Sequence, residues 1–374
     1  MTTKARTLIL TRTLHSGSGV AEVVLTILRE AESHSGFEHL TVAYCHGEES
    51  LAPRWRQSHR LVLLRESRFG AFLDVLSLVR RIRPTCIIAT DLRLLFAARI
   101  ASLIVRPVPV ILYWIHSIHS IHMGRIRRLA FKKLAAHVSF ITPSVAVRDK
   151  WQPLSKPTKI HILPNGVFDH GVLSRSPAHD YASKGLYIAS FVALKNHSVL
   201  VDAIACLAGR GRRVHFDFVG DGALFEATRR HAIDMGVSDL VTFHGLRSDA
   251  KSFFRDVDFY VHPADGEAFG MAIVEAMLAG VPVIVRDQGA IKELITDGES
   301  GLLVREPGPE ALAERIDYLL SMPTDDRLRL GRAARAKALS AYSPKCFAIG
   351  LSDIIDEETA ARAKRYGDSS ARRR

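Results

Sequence analysis

Short runs of apolar residues alternate along the chain with longer stretches in which apolar residues recur at helical spacing. In the first half, residues 7–10, 40–44 and 86–89 predict buried strands, and residues 72–81 predict a helix between them. Such alternation is typical of a mostly parallel sheet with helices on both faces. The other elements predicted here are strands at 108–114 and 138–142 and helices at 94–105 and 126–134.

The pattern starts again after residues 156–166 (KPTKIHILPNG), which are rich in turn-forming residues and predict a bridge between two halves. Residues 169–184 predict a polar surface loop. Strands are then predicted at 186–190, 215–219, 241–244, 259–262 and 283–286, with helices at 198–208 and 271–279. We therefore predict two domains, 1–165 and 166–345, a helix at 346–359 that crosses back to the first domain, and a frayed basic tail at 360–374.

The net charge of +12 is concentrated in the first 165 residues, which suggests an anionic partner on that side. The 4 cysteines are widely spaced and predict reduced thiols rather than a disulfide framework or a zinc site.

The N-terminus lacks the apolar core of a signal peptide. Charged residues and prolines interrupt residues 96–115, the most apolar stretch, so we expect a cytoplasmic protein.

The clearest chemical signal is residues 262–285 (HPADGEAFGMAIVEAMLAGVPVIV). A strand ends at His262, the following loop carries Glu267, and a helix that begins at Gly270 carries Glu275. Small residues allow a ligand to approach the backbone, and the N–H groups at a helix start bind phosphate oxygens. The two carboxylates can accept hydrogen bonds from sugar and ribose hydroxyls. This pattern predicts a site for a phosphorylated sugar ligand at the carboxyl end of a strand.

These residues resemble the donor signature of the family 4 retaining glycosyltransferases, which have the two-domain GT-B fold. Glu267, Phe269, Gly270 and Glu275 match the two glutamates and the Phe-Gly pair of that signature. The resemblance extends over nearly the whole chain, through GSGVAEVV, TPS, LPNGV, KNHSVLVDAI, VGDG, VTFHG and GESGLLV in the family's order. It implies an α/β fold of two Rossmann-like domains that face a cleft.

The resemblance also implies a role for each matching residue. Glu267 would contact the transferred sugar, Glu275 the ribose and Lys195 the diphosphate, while His116 would lie near the acceptor and the reacting carbon. The catalytic residues implied are Glu267, His116 and Lys195, and the donor-binding residues are Gly17, Gly19, Lys195, His244, Gly245, Phe269, Gly270, Met271, Ala272 and Glu275. The family retains the anomeric configuration and needs no metal or separate cofactor, so a UDP- or GDP-linked sugar is the expected co-substrate.

One position departs from the family pattern. Ser190 stands where the family usually has an arginine, five residues before Lys195. Arg247 and Arg286 are candidates to replace that cation, because arginine suits phosphate clamps. The departure keeps open a degenerate protein that binds a sugar nucleotide without catalysis. A sugar-nucleotide epimerase of the same fold is the other alternative.

Two basic or histidine-rich segments admit more than one interpretation. His116, His119 and His122 recur every three residues, but no further ligands accompany them, which argues against a metal site. The predicted helix 126–134 places its apolar residues on one face, and its basic residues, with one preceding arginine, fall largely elsewhere. These basic residues suit either solvent or an anionic membrane surface. Those residues are Arg125, Arg127, Arg128, Lys132 and Lys133.

We therefore expect a glycosyltransferase of cell-surface polysaccharide or lipopolysaccharide synthesis. Its partners would be a nucleotide sugar and a glycan or lipid-linked acceptor, with a peripheral membrane contact as an additional option. Aromatic residues make up only 7% of the chain and no recognition motif accompanies the basic half, so nucleic-acid binding is not expected.

Overall fold

The computed structural model describes residues 5–14, 19–47, 61–116, 131–133, 135–152, 159–171 and 183–371, with side chains up to residue 364. The chain forms two compact units. The first contains Met1–Gly166 together with Pro344–Arg374, and the second contains Val167–Ser343. We describe each unit separately.

The first unit is built around a seven-stranded sheet in the order β3-β2-β1-β4-β5-β6-β7, in which every neighbouring pair is parallel. Its strands are β1 (Arg6–Leu14), β2 (His39–Gly47), β3 (Leu61–Leu63), β4 (Cys86–Ala89), β5 (Val110–Trp114), β6 (Ser139–Thr142) and β7 (Ile160–Ile162). Its helices are α1 (Gly19–Glu30), α2 (Arg68–Ile82), α3 (Leu92–Ala101), α4 (Val145–Trp151) and, after the second unit, α11 (Pro344–Ala371).

The second unit has a six-stranded parallel sheet in the order β10-β9-β8-β11-β12-β13. Its strands are β8 (Lys184–Ile188), β9 (His215–Val219), β10 (Val241–Phe243), β11 (Phe259–His262), β12 (Val283–Arg286) and β13 (Leu302–Val304). Its helices are α5 (His197–Gly209), α6 (Phe225–Asp234), α7 (Met271–Leu278), α8 (Ile291–Leu294), α9 (Pro309–Ser321) and α10 (Thr324–Ala341).

Both sheets have the strand order of a dinucleotide-binding fold, so the prediction of an α/β protein with two Rossmann-like units is confirmed. In each sheet the strands follow the chain outward in opposite directions from two central neighbours, so the strand order reverses between them. These neighbours are β1 and β4 in the first sheet and β8 and β11 in the second. A crevice forms at such a reversal because the helices on its two sides cover opposite faces of the sheet. The carboxyl ends of these strand pairs are the positions at which a ligand site is expected.

The central strands could be predicted from the sequence because both of their faces are buried. All five residues of β5 and all four of β11 are buried, as parallel sheets covered by helices require. The three-residue strands β3, β7 and β13 were not predicted, because so few residues show little periodicity, although β10 has the same length and was predicted at 241–244.

The structure corrects two predictions about connecting segments. Residues 156–166 are not only a bridge, because they include β7, which pairs with β6 at the edge of the first sheet. The C-terminal helix extends through most of the predicted frayed tail and ends at Ala371. Its polar sequence shows little periodicity, but it joins the first unit through apolar residues such as Phe347 and Leu351, which are buried. Most of the predicted helix 126–134 lies outside the described residues.

Candidate active site

The loops after β8 and β11 meet at the strand-order reversal of the second unit. After β8, a single 3-10 turn at Ala193–Lys195 presents Lys195, and its backbone oxygen accepts a hydrogen bond from the Tyr187 hydroxyl at 2.6 Å. After β11, residues 263–270 carry Glu267. The backbone N–H of Asp265 donates to the Leu194 oxygen at 2.8 Å, which joins the two loops. This junction holds Lys195 and Glu267 against each other.

Glu267 is the centre of a compact polar cluster. Its Oε1 is paired with Lys195 Nζ and lies 3.0 Å from His262 Nε2. The Tyr260 hydroxyl is 2.9 Å from His262 Nδ1, and both the tyrosine and the histidine belong to β11. Only 18% of the Glu267 side chain is exposed to solvent, so the carboxylate is held by its partners rather than by water.

This cluster fixes the ionisation of Glu267. Burial by itself would raise the pKa of the carboxyl group, but the hydrogen bond with His262 and the charge of Lys195 outweigh it and lower the pKa to about 2. Burial lowers the pKa of His262, so its imidazole is neutral near pH 7. A neutral ring that donates Nε2–H to the carboxylate has an unprotonated Nδ1, which accepts from Tyr260. The site therefore contains an oriented, ionised carboxylate.

A second acidic residue, Asp265, connects this cluster to Arg286. Asp265 Oδ2 accepts a hydrogen bond from Asn196 Nδ2 at 2.9 Å, and Asp265 Oδ1 lies 3.1 Å from Arg286 Nη1. Arg286, the last residue of β12, is therefore beside the loop that carries Lys195. Arg247 instead pairs with its neighbour Asp249 at 2.9 Å, with both side chains about half exposed. Of the two arginines predicted as substitutes at Ser190, only Arg286 belongs to this cluster.

Helix α7 begins next to this cluster, at Gly270. This glycine has φ +100, and a Cβ there would lie 2.9 Å from the Ile273 side chain, so the position favours glycine on both grounds. Phe269 is buried, 4% exposed, and its ring contacts Tyr342 with centroids 5.6 Å apart. Phe269 thereby anchors the chain where it enters the helix. Met271 and Ala272 form the first turn of α7, where the positive end of the helix dipole favours an anion.

Glu275 lies on α7 but does not join the Glu267 cluster. Its Oε1 is 3.1 Å from Lys251 Nζ, and Lys251 Nζ is also 2.8 Å from His170 Nε2. The side chain of Glu275 is 15% exposed. The two glutamates of the signature thus have different cationic partners, so a ligand can bind one glutamate without displacing the partner of the other.

His244 and Gly245 follow β10, at the edge of the same sheet. His244 Nε2 lies 2.8 Å from Asp217 Oδ1, and Lys184 Nζ lies 2.6 Å from Asp217 Oδ2. The Asp217 side chain is only 4% exposed. The His244 ring contacts Phe253 edge-on at 4.7 Å. Gly245 has φ +64, and its backbone oxygen accepts from Gly220 N–H at 2.8 Å, which joins this turn to the end of β9.

Several residues of these clusters were not predicted as site residues from the sequence, among them Tyr260, His262 and Asp217. Tyr260 and His262 were assigned only to a strand, although polar residues at alternate positions of a buried strand are a detectable signal. Asp217 interrupts the apolar run HFDFV of β9, and a buried carboxylate requires partners. The partners themselves are remote in sequence and could not be assigned without the structure.

The remaining predicted residues belong to the first unit. His116 follows β5; burial lowers its pKa to about 3, and its ring packs against Trp114 with centroids 4.8 Å apart. Gly19 is the first residue of α1 and is exposed. Lys132 and Lys133 are exposed and helical. The other residues predicted here lie outside the described part of the chain: Gly17, His119, His122, Arg125, Arg127 and Arg128.

Comparison with known families identifies the second unit. Residues 180–337 match the model of the family described as "Glycosyl transferases group 1", and this match contains Lys195, Glu267 and Glu275. These residues of the second unit are therefore similar to that family. Together with the two Rossmann-like units, this match confirms the GT-B fold class.

Curated relatives match over similar segments. An uncharacterized glycosyltransferase of Methanocaldococcus jannaschii is 30% identical over 176 residues, 46% of this chain and 48% of that protein. The lipopolysaccharide core biosynthesis mannosyltransferase LpsB of Rhizobium meliloti is 32% identical over 166 residues, 44% of this chain and 43% of that protein. The chain thus matches less than half the length of these relatives.

Solved structures of the same fold cover nearly the whole chain. The Anabaena protein HepE in complex with UDP and glucose has a TM-score of 0.78 and 20% identity, over 94% of this chain and 99% of that one. This similarity supports the fold. Within the described ranges, no helix is both long and apolar enough to cross a membrane.

Proposed function

We propose that the chain transfers a sugar from a nucleotide-diphosphate sugar to an acceptor, with retention of the anomeric configuration and without a divalent metal. The observation that carries this proposal is the buried Lys195–Glu267–His262 cluster at the β8–β11 reversal, beside the start of α7. Such an arrangement puts a fixed carboxylate, a cation and a helix N-terminus at one place. The name of the Rhizobium relative and the UDP and glucose bound to the Anabaena neighbour support the same reaction class.

In this proposal Lys195 and the first turn of α7 stabilise the departing diphosphate. Lys195 is paired with Glu267 in the structure, so an arriving phosphate shares the ammonium group with the carboxylate. Glu267 then accepts hydrogen bonds from the sugar and stabilises the positive charge that develops at the reacting carbon. Because the pKa of Glu267 is lowered to about 2, the carboxylate carries its charge throughout the neutral range.

Arg286 supplies the cation that Ser190 does not. Its guanidinium group is 3.1 Å from Asp265, whose loop is bonded to the Lys195 turn, and 19% of its side chain is exposed. A guanidinium group binds phosphate oxygens in a bidentate manner. The contact of Arg286 with Asp265, whose backbone N–H binds the Leu194 oxygen, supports this role. Arg247 pairs instead with Asp249 at the surface.

Glu275 and His244 bind the nucleoside. Glu275 accepts the ribose hydroxyls while Lys251 keeps the carboxylate in place, and His244, held by Asp217, lies with Gly245 where the base is expected. The donor is a UDP- or GDP-linked sugar, with no further cofactor.

His116 acts near the acceptor as a neutral group. Burial lowers its pKa to about 3, so the imidazole is uncharged at neutral pH and can accept or donate a hydrogen bond without adding charge. The acceptor is a glycan or lipid-linked saccharide of cell-surface polysaccharide or lipopolysaccharide synthesis, used in the cytoplasm or at the membrane that bounds it. Lys132, Lys133 and the preceding arginines would contact that membrane.

Donor turnover distinguishes this function from its alternatives. The chain is incubated with UDP-glucose and with GDP-mannose in the presence of a chelator, and the products are followed by NMR. Slow release of free sugar, first in the donor's anomeric form, and its loss in Glu267→Gln support a retaining transferase. Accumulation of an isomeric sugar nucleotide would indicate an epimerase. Tight nucleotide binding with no donor consumed would indicate a non-catalytic binder.

A further inference from the structure

The first unit contains a large cavity that the donor chemistry does not use. It has a volume of about 680 Å³, within the range of small-molecule sites. Arg12 of β1 and His46 of β2 line it near the carboxyl ends of their strands, and Asp91 lines it just after β4. The cavity therefore opens at the β1–β4 reversal, the position in this sheet that corresponds to the active site in the other.

The walls of the cavity are largely aromatic and aliphatic. Phe69 and Phe72 of α2 and Phe96 of α3 contribute rings to the lining. Phe69 is 72% exposed and Phe96 is 52% exposed, although both rings are among the largest apolar side chains. Burying such rings against an apolar ligand is favourable by about 25 cal/mol for each Å² removed from water. The cavity is thus suited to a hydrocarbon chain.

Three guanidinium groups stand around these rings. Arg12, Arg68 and Arg93 line the cavity and are exposed, and no described residue forms an ion pair with any of them. The lining also contains two carboxylates. Glu66 lies 3.1 Å from His46 Nδ1, and Asp91 caps α3 by accepting from the Arg93 backbone N–H at 2.8 Å. With three arginines against two carboxylates, the described lining carries an excess of positive charge. Guanidinium groups beside an apolar wall complement a ligand that has an anionic head and an apolar tail.

We propose that this cavity binds a lipid whose head carries a phosphate. The arginines hold the phosphate oxygens, and Phe69, Phe72 and Phe96 cover the first part of the hydrocarbon chain. That this lipid carries the sugar acceptor rests on the proposed function, because only a transferase needs a second substrate. Binding of the lipid itself does not depend on the donor site, since all the residues involved belong to the first unit.

The test is calorimetric titration of the full chain, without nucleotide, using decyl phosphate below its micellar concentration. Saturable binding is expected, and the Arg68→Gln, Arg93→Gln double variant should weaken it about 100-fold or more, since the loss of each charge-assisted contact costs about 10-fold or more. The Phe69→Ser, Phe96→Ser double variant should also weaken it. Arg80→Gln and Leu73→Ser serve as controls, because both residues are exposed on α2 and neither lines the cavity.

Two further probes separate the phosphate lipid from simpler ligands. Decyl glucoside and inorganic phosphate should each bind far more weakly than decyl phosphate. Equal binding of decyl glucoside would show a non-specific apolar surface, and equal binding of inorganic phosphate would show a free-anion site. Either result, or double variants that bind as tightly as the unaltered chain, overturns the proposal. Failure of nucleotide binding with decyl phosphate binding intact would instead overturn only the proposed function and the acceptor role.

Discussion

His262 Nε2 lies 3.0 Å from Glu267 Oε1, and this contact connects a buried strand to the loop that carries the reactive carboxylate. His262 is only 2% exposed, so water cannot replace it as a partner of Glu267. The contact opposes the effect of burial on the pKa of Glu267 and gives the carboxylate one orientation. We therefore assign His262 as a positioning residue.

Replacing His262 by glutamine should move the acid limb of the activity profile to higher pH. Burial would raise the pKa of Glu267, and the variant weakens one of the interactions that lower it to about 2. A carboxyl group with a lowered pKa is ionised above that value and protonated below it, so raising the pKa removes activity first at acidic pH. The measurement is donor hydrolysis as a function of pH.

Tyr260→Phe is the matched control for this variant, because it keeps the ring and removes only the hydroxyl that contacts His262 Nδ1. It should shift the acid limb less than His262→Gln does. Identical pH profiles for His262→Gln and the unaltered chain would show that His262 does not tune Glu267.

Arg286→Gln should lower the rate of donor turnover by about 10-fold or more, because one well-placed cation or donor at a developing charge is worth roughly 2–4 kcal/mol. The reason is the position of Arg286 beside Asp265 and the Lys195 loop. The rate is measured as nucleotide diphosphate released per unit time at a saturating donor concentration.

Arg247→Gln is the corresponding control, since Arg247 is paired with Asp249 at the surface and should leave turnover nearly unchanged. A larger loss in Arg247→Gln than in Arg286→Gln would reverse the assignment. Equal, small effects in both would mean that Lys195 and α7 alone stabilise the leaving group.

His197→Phe should make the stability of the protein less sensitive to acid. His197 is 4% exposed and stacks on Phe191 with ring centroids 3.8 Å apart. Burial, together with the charges of His262 and Lys195, lowers its pKa from 6.5 to about 3. Between those values the unfolded chain binds a proton that the folded chain does not, so stability is complete above pH 6.5 and is lost as the pH falls.

This loss amounts to about 2 kcal/mol between pH 6.5 and pH 5 and should be absent in the phenylalanine variant. Urea unfolding at both pH values measures it. His39→Phe, a substitution of an exposed histidine in β2, should leave the pH dependence unaltered. If His197→Phe and the unaltered chain lose equal stability on acidification, His197 is not a buried neutral group.

The sequence predicted most of the central strands because buried parallel strands are continuous apolar runs. The strands β4, β9, β11 and β12 were predicted with the bounds that the structure shows. Three of the described three-residue strands, β3, β7 and β13, were not predicted, whereas β10 was. The length of α11 was not predicted either, because a polar helix without periodicity cannot be distinguished from a tail.

The site was predictable only where its residues are close in sequence. Glu267, Gly270 and Glu275 lie in one segment, and their spacing relative to the helix start carries the signal. The partners of this segment come from other elements: Lys251, in the 3-10 helix Ala250–Asp256, reaches Glu275, and Arg286, the last residue of β12, reaches Asp265. The cavity of the first unit was not predicted at all, because its lining residues are spread from Arg12 to Ala97 and form no motif.

The central claim is that the second unit binds the nucleotide of a sugar donor through Glu275 while Glu267 serves turnover. Calorimetric titration with UDP, GDP and ADP in a chelating buffer tests it most directly. Tight binding of UDP or GDP is predicted, weakened about 10-fold or more in Glu275→Ala because charge-assisted hydrogen bonds are lost. Affinity should be nearly unchanged in Glu267→Gln and in the control Glu310→Ala, an exposed residue of α9. No binding of any nucleotide, or equal affinity in Glu275→Ala and the unaltered chain, would contradict the account.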